Sequence, residues 1–165
     1  MKSGFSVQVA KENLKFSAAH FMAYPGFREA LHGHNYQVGV SIEGRLGATG
    51  YVLDFGLIKQ VTKEIVDRLD EHTIIPADSD CLTITRAGNE VSVLYGNDRF
   101  AFPLSDIVLL PIAHSSAEEL ARYLWGELRD ALAALDVLSG IVAIGITVAE
   151  SPGQAASYRE EIAKF

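Results

Sequence analysis

At 165 residues the chain suits one domain with a substantial core, and its 48% hydrophobic and 21% charged residues fit a soluble globular protein. A net charge of −7 argues against a nucleic-acid partner, which calls for a basic face, but leaves room for a small phosphorylated substrate in a locally positive pocket. No apolar run is long enough for a bilayer, and residues 1–11 lack a signal-peptide core, so a cytoplasmic protein with no membrane partner is expected. The single cysteine, Cys81, excludes an intrachain disulfide and a multi-cysteine zinc site. It reads as a small buried thiol. Any bound metal must therefore use histidines and carboxylates.

The first third of the chain reads as strands. Residues 5–11 and 14–21 alternate apolar and polar side chains around the polar pair Glu12-Asn13, a candidate hairpin turn. Residues 35–43 alternate cleanly, and a glycine-rich connection over 44–50 leads into Tyr51, Val52 and Leu53. Asp54 suits a helix N-cap, with Leu57, Ile58, Val61, Ile65, Val66 and Leu69 at helical spacing after it. Residues 76–111 hold short β-like runs (82–85, 91–95 and 99–102) split by turn residues, and read as a small β insertion within the one domain. A second amphipathic helix is expected over about 117–135, capped by Ser115 or Ser116, then a buried strand over 141–148 and an exposed tail. The predicted class is α+β, an antiparallel sheet covered on one face by two helices.

The chemistry concentrates in His20 and in the pair His32-Gly33-His34. On a strand, residues i and i+2 share a face, so His32 and His34 can present two imidazoles side by side, with His20 arriving from the adjacent strand. Taken singly, each reads more readily as a hydrogen-bonded sheet residue than as a ligand. Together, three imidazoles around one ion match an open catalytic zinc site, its fourth position left for water or substrate. Gly33 leaves room for a close neighbour on the opposite face.

The ordered set FSAAHF, FREALHGHNY, VLDFGLIK, LDEHTIIP, SSAEELARYLW and ITVAES, spanning about residues 5–158, resembles the 6-pyruvoyl-tetrahydropterin synthase family. That family includes the bacterial 6-carboxytetrahydropterin synthases of queuosine biosynthesis. The resemblance implies the tunnelling fold (T-fold), a homohexamer built as a dimer of trimers with active sites between subunits, and Zn2+ on His20, His32 and His34. It also implies 7,8-dihydroneopterin triphosphate as substrate. Glu150 would anchor the pterin, since a carboxylate matches two parallel N–H donors. Ser115 and Ser116 would line the pocket, or simply cap the second helix.

Two motifs depart from the family pattern. Most members carry a cysteine shortly before the HGH motif, where this chain has Phe27-Arg28-Glu29-Ala30-Leu31. Glu29, three residues before His32, resembles the subgroup in which glutamate replaces that cysteine; the other reading is a surface loop charge. That subgroup is associated with cleaving the substrate's side chain to 6-hydroxymethyl-7,8-dihydropterin, a folate precursor. The competing outcomes are a 6-pyruvoyl or 6-carboxy product, or a catalytically silent pterin-binding protein. The family also has Asp followed directly by His, whereas this chain reads Asp70-Glu71-His72, so that either His72 or Glu71 fills the histidine position and Asp70 orients it. His114 reads as structural or pocket-rim. Arg28 and Lys11 are candidates for gripping the triphosphate by charge alone.

Overall fold

A computed structural model describes residues 4–162. The chain begins with β1 (Phe5–His20), a short hairpin of β2 (Ala23–Tyr24) and β3 (Phe27–Arg28), and β4 (His32–Gly44). Then come α1 (Phe55–Asp67), β5 (His72–Pro76), β6 (Thr83–Ala87), β7 (Glu90–Tyr95), β8 (Asp98–Pro103) and β9 (Ile107–Leu110). It closes with α2 (Ala117–Ala134), β10 (Ile141–Ser151) and β11 (Gln154–Glu161). The strands form a six-stranded sheet in the order β11-β10-β4-β1-β5-β9, with β6-β7-β8 as a separate three-stranded sheet.

Period-two alternation decides which side chains enter the core. On β1 the inward residues are Leu14, Phe16, Ala18 and His20, and on β4 they are Tyr36, Val38, Val40 and Ile42, all buried. Both helices cover this face: α1 contributes Ile58, Val61, Ile65 and Val66, and α2 contributes Leu120, Leu124, Leu128 and Leu132. Each fully buried aliphatic side chain favours the fold by about 1.5–3 kcal/mol. Trp125 joins the core and donates its indole N–H to the Ile144 carbonyl at 2.9 Å. The helix starts are set locally. Asp54 accepts from the Leu57 amide at 2.9 Å, and Ser116 from the Glu119 amide at 3.3 Å. Among the described residues no helix is long and apolar enough to cross a membrane.

Four features differ from the sequence expectation. Residues Glu12 and Asn13 do not reverse the chain. β1 runs through them, and both of its halves pair with β4, the register breaking between Ala10 opposite Gly39 and Lys15 opposite Gln37. The polar pair marks a bulge, because β4 is long enough to pair with the strand on either side of it. Residues 51–53 lie outside any strand. Two strands absent from the sequence reading, β5 and β9, extend the sheet in parallel beside β1, making it mixed. The expected tail forms β11, antiparallel to β10 at the sheet edge. Its exposed, polar composition fits an edge strand as well as a loop.

Of the 76–111 stretch read as a β insertion, β6, β7 and β8 form a sheet of their own, while β9 belongs to the main sheet. Val91 and Val93 of β7 pack with Phe21, Ala23, Ile75 and Ile107 in a second, smaller core. Cys81 sits half-buried at its periphery, against Ser79. This core joins the insertion to the chain immediately after His20.

Candidate active site and metal centre

Antiparallel pairing of β1 with β4 sets His20 directly opposite His32 and Ala18 opposite His34. The three imidazoles therefore share one face, with ring centroids 4.6 Å apart for His20 and His32, 5.2 Å for His20 and His34, and 4.9 Å for His32 and His34. Their candidate ligand nitrogens lie within 4.8 Å of one another, and this is the group among the described residues that could hold a metal. Gly33 lies between the two β4 histidines because a Cβ there would sit 3.0 Å from the Ala18 carbonyl oxygen.

The ring nitrogens are already sorted. Nδ1 of His20 donates to the Ser115 main-chain carbonyl at 2.9 Å, and Nδ1 of His32 to the Ala30 carbonyl at 2.9 Å. A carbonyl can only accept, so both rings carry their proton on Nδ1 and leave Nε2 as a lone-pair donor. Such a carbonyl contact is the usual outer support of a metal-bound histidine. Nε2 of His20 is buried and has no hydrogen-bond partner among the described residues. An orphaned imidazole nitrogen facing two other imidazoles is what a divalent cation would satisfy, so the residues fit the metal that this donor set implies. Burial, opposed by the bond to Ser115 and reinforced by His32 and His34, lowers the His20 pKa to about 4. The ring is thus neutral and able to ligate at ordinary pH.

Beside His20 lies a cavity of about 360 Å³ lined by His20, Met22, Glu29, Ser116, Glu118 and Glu150, among others. This volume falls in the range of small-molecule sites, about 300–1,000 Å³. The fold thus brings Glu29 and Glu150, 121 positions apart in sequence, to one hollow with the histidine cluster. Glu29 is half-buried and held twice by Met22. Its N–H donates to the Met22 carbonyl at 2.9 Å, and its Oε2 accepts from the Met22 amide at 3.0 Å. Tyr36 lies under the histidines, its ring centroid 5.4 Å from that of His34. Burial, with the Glu150 and Glu29 carboxylates nearby, pushes its phenol well above the ordinary range.

The other predicted residues are dispersed. Ser115 is fully buried: it braces His20 with its carbonyl and donates its hydroxyl to the Phe21 carbonyl at 3.0 Å. Ser116 is the helix cap and also lines the cavity. Asp70 and His72 are not at this hollow. His72 lines a separate depression of about 460 Å³ with Ser17, Gly33, His34 and Glu71. The expected carboxylate-to-imidazole contact is replaced by another. Nδ1 of His72 donates to the Asp70 main-chain carbonyl at 2.6 Å, while the Asp70 carboxylate accepts from the Ser17 amide at 2.7 Å. Glu71 accounts for the extra residue. It takes a left-handed conformation (φ 59°) with its amide on the Ser17 carbonyl at 2.7 Å, which loops it out and lets His72 enter the sheet opposite Ala18.

Neither candidate phosphate grip faces the cavity with a free charge. Lys11 lines a different depression with Gln8, Glu12 and Gln37, and the Arg28 guanidinium is engaged by Asp98. His114 is a brace, donating from Nδ1 to the Ala23 carbonyl at 3.2 Å. Sequence reasoning missed Met22, whose role is carried by its main chain and leaves no trace in side-chain identity.

The model of the family described as 6-pyruvoyl tetrahydropterin synthase matches residues 8–161. The chain belongs to that family. A protein of Methanocaldococcus jannaschii, provisionally named 6-carboxy-5,6,7,8-tetrahydropterin synthase, is 36% identical over 148 residues, covering 89% of this chain and 90% of its own. The solved 6-pyruvoyl tetrahydropterin synthase of Plasmodium falciparum superposes with a TM-score of 0.93 at 38% identity, covering 98% of this chain and 100% of that one. A Plasmodium vivax 6-pyruvoyltetrahydropterin synthase, solved with a catalytic glutamate changed to alanine, reaches the same TM-score at 33% identity, with 98% and 100% coverage. The family's T-fold is therefore the fold of this chain.

Proposed function

We propose that this chain is a zinc-dependent lyase that cleaves the side chain of 7,8-dihydroneopterin triphosphate to give 6-hydroxymethyl-7,8-dihydropterin, with Glu29 as general base. The observation that carries this reading is the placement of Glu29 in the same hollow as His20 and Glu150, at the point in the chain where most family members carry cysteine. Two relatives lend support. The P. vivax enzyme has a catalytic glutamate, and a Pyrococcus furiosus protein, 37% identical over 59 residues (36% of this chain, 50% of its own), is a dihydroneopterin monophosphate aldolase.

In the proposed reaction Glu150 accepts hydrogen bonds from the pterin's amino and imino groups and sets the side chain between Glu29 and the histidines. His20, His32 and His34 would hold the zinc ion, which when bound would lower the pKa of the side-chain hydroxyls and polarise the neighbouring bond. Glu29 takes the proton of the 2′ hydroxyl. The C2′–O bond becomes a carbonyl as the C1′–C2′ bond breaks. The released electron pair passes into the pterin's conjugated C6=N5 unit, and a proton returned to C1′ completes 6-hydroxymethyl-7,8-dihydropterin. Glycolaldehyde triphosphate leaves. Met22, holding only Oε2 of Glu29, leaves Oε1 for the substrate proton. We assign His72, on the far depression, and Asp70, whose carbonyl holds it, to a proton path completed by a neighbouring subunit in a homohexamer, a placement that follows the family's assembly. The setting is cytoplasmic.

The name of the M. jannaschii relative favours a second reading, a 6-carboxy or 6-pyruvoyl product from the same substrate. Incubating zinc-loaded protein with 7,8-dihydroneopterin triphosphate and identifying products by liquid chromatography and mass spectrometry separates the two. The expected product is 6-hydroxymethyl-7,8-dihydropterin, lost on chelation and in Glu29→Ala. A carboxy or pyruvoyl product establishes the second reading, and pterin binding without turnover refutes both.

A further inference from the structure

The β6-β7-β8 insertion contributes no side chain to the lining of the Glu29 cavity, yet it is tied to the hairpin that carries Glu29. Nε and Nη2 of Arg28 donate to Oδ2 of Asp98 on β8, at 3.0 and 2.8 Å. The same guanidinium lies 5.1 Å from the centroid of the Phe100 ring, and its Nη1 donates to the main-chain carbonyl of Glu29 at 2.6 Å. Phe100 also stacks on Phe21, with centroids 4.7 Å apart. The Tyr95 hydroxyl, on β7, donates to the Tyr24 carbonyl at 3.0 Å.

These contacts converge. The Glu29 carboxylate is located by the Met22 amide, which donates to its Oε2, and by the Glu29 main chain, whose N–H donates to the Met22 carbonyl. The residue preceding each, Arg28 and Phe21, packs on Phe100. Every donor nitrogen of Arg28 is used, and its planar fork bonds a carboxylate and a carbonyl at once, which an ammonium on a flexible stem does not reproduce. We propose that Asp98 and Phe100 are positioning residues for Glu29, acting through Arg28 and Phe21, so that the β insertion fixes where the carboxylate meets its substrate proton. The proposal rests on the reading of Glu29 as the base.

The Arg28–Asp98 pair is partly exposed, with side-chain exposures of 22% and 55%, and such pairs contribute little to folding stability. Its loss is expected in the rate instead, because misplacing a reacting group by about 1 Å lowers turnover about 100-fold. The experiment is steady-state kinetics on 7,8-dihydroneopterin triphosphate for Asp98→Ala, Asp98→Glu, Phe100→Leu and Glu29→Gln. Zinc content, thermal melting and the binding of fluorescent neopterin are measured on the same proteins. For Asp98→Ala and Phe100→Leu, kcat is expected to fall tenfold or more, while KM, neopterin affinity and zinc content stay within about twofold of the parent. Asp98→Glu is expected to recover most of the lost kcat.

An unchanged kcat in both Asp98→Ala and Phe100→Leu overturns the proposal, as does a loss that appears equally in KM and neopterin affinity. Full activity in Glu29→Gln refutes the base assignment, and the positioning role with it. An inactive Glu29→Gln beside a fully active Asp98→Ala and Phe100→Leu removes the positioning role alone.

Discussion

Acidification of the metal-free protein tests whether the His20 site is as dry as its packing implies. His20 is 2% exposed, and burial is the main cause lowering its pKa from 6.5 to about 4. In the unfolded chain the ring protonates near 6.5, so between that pH and about 4 the unfolded state binds the extra proton. Stability attributable to this group is therefore complete above pH 6.5 and is lost as pH falls toward 4. At about 1.4 kcal/mol per pKa unit, the full loss approaches about 3.5 kcal/mol, and about 1.3 kcal/mol of it falls between pH 7.5 and 5.5. Urea unfolding of chelator-treated protein at several pH values measures the slope, and subtracting the same series for His20→Gln removes other titrating groups. An NMR titration of the His20 ring reads the midpoint directly. A midpoint at or above 6, or equal slopes in parent and variant, would refute the account of a desolvated ring held neutral for ligation.

Three further outcomes follow from particular contacts. Gly33→Ala drives a methyl to within 3.0 Å of the Ala18 carbonyl oxygen between β1 and β4, so we expect a loss of about 1–3 kcal/mol in urea unfolding and weaker zinc retention against a chelator. Gly126→Ala meets no atom within 4 Å on α2, and removing an interior helical glycine should raise stability by about 0.5–1 kcal/mol in the same assay. Glu150→Gln withdraws the charge of the acceptor proposed to anchor the pterin. Neopterin affinity should fall about 10- to 100-fold, the equivalent of about 1.5–3 kcal/mol, with zinc content unchanged by metal analysis.

Several parts of the molecule were legible before its structure. The i, i+2 spacing of His32 and His34 places both imidazoles on one face, and the apolar face of each helix follows from the 3.6-residue period. Asp54 and Ser116 announce the helix starts because capping is a contact between near neighbours in sequence. The same holds for the insertion, whose strands are joined by tight turns. Such features depend on local geometry, and local geometry is written in a few consecutive residues.

What the sequence by itself determined was the periodicity of both helices and of the longer inner strands, the imidazole donors that share one face and the motifs of the family. Only the tertiary structure decided which strands pair. Alternation says that a segment is a strand but names no partner, so the continuity of β1 across Glu12 and Asn13, the parallel addition of β5 and β9, and the edge position of β11 all had to come from long-range register. The same limit applies at the site. Glu29 is held by the Met22 main chain, His20 by the Ser115 carbonyl and His72 by the Asp70 carbonyl. Each of those partners acts through a peptide group that every residue type shares, and only the folded chain brings the right peptide group to the right side chain.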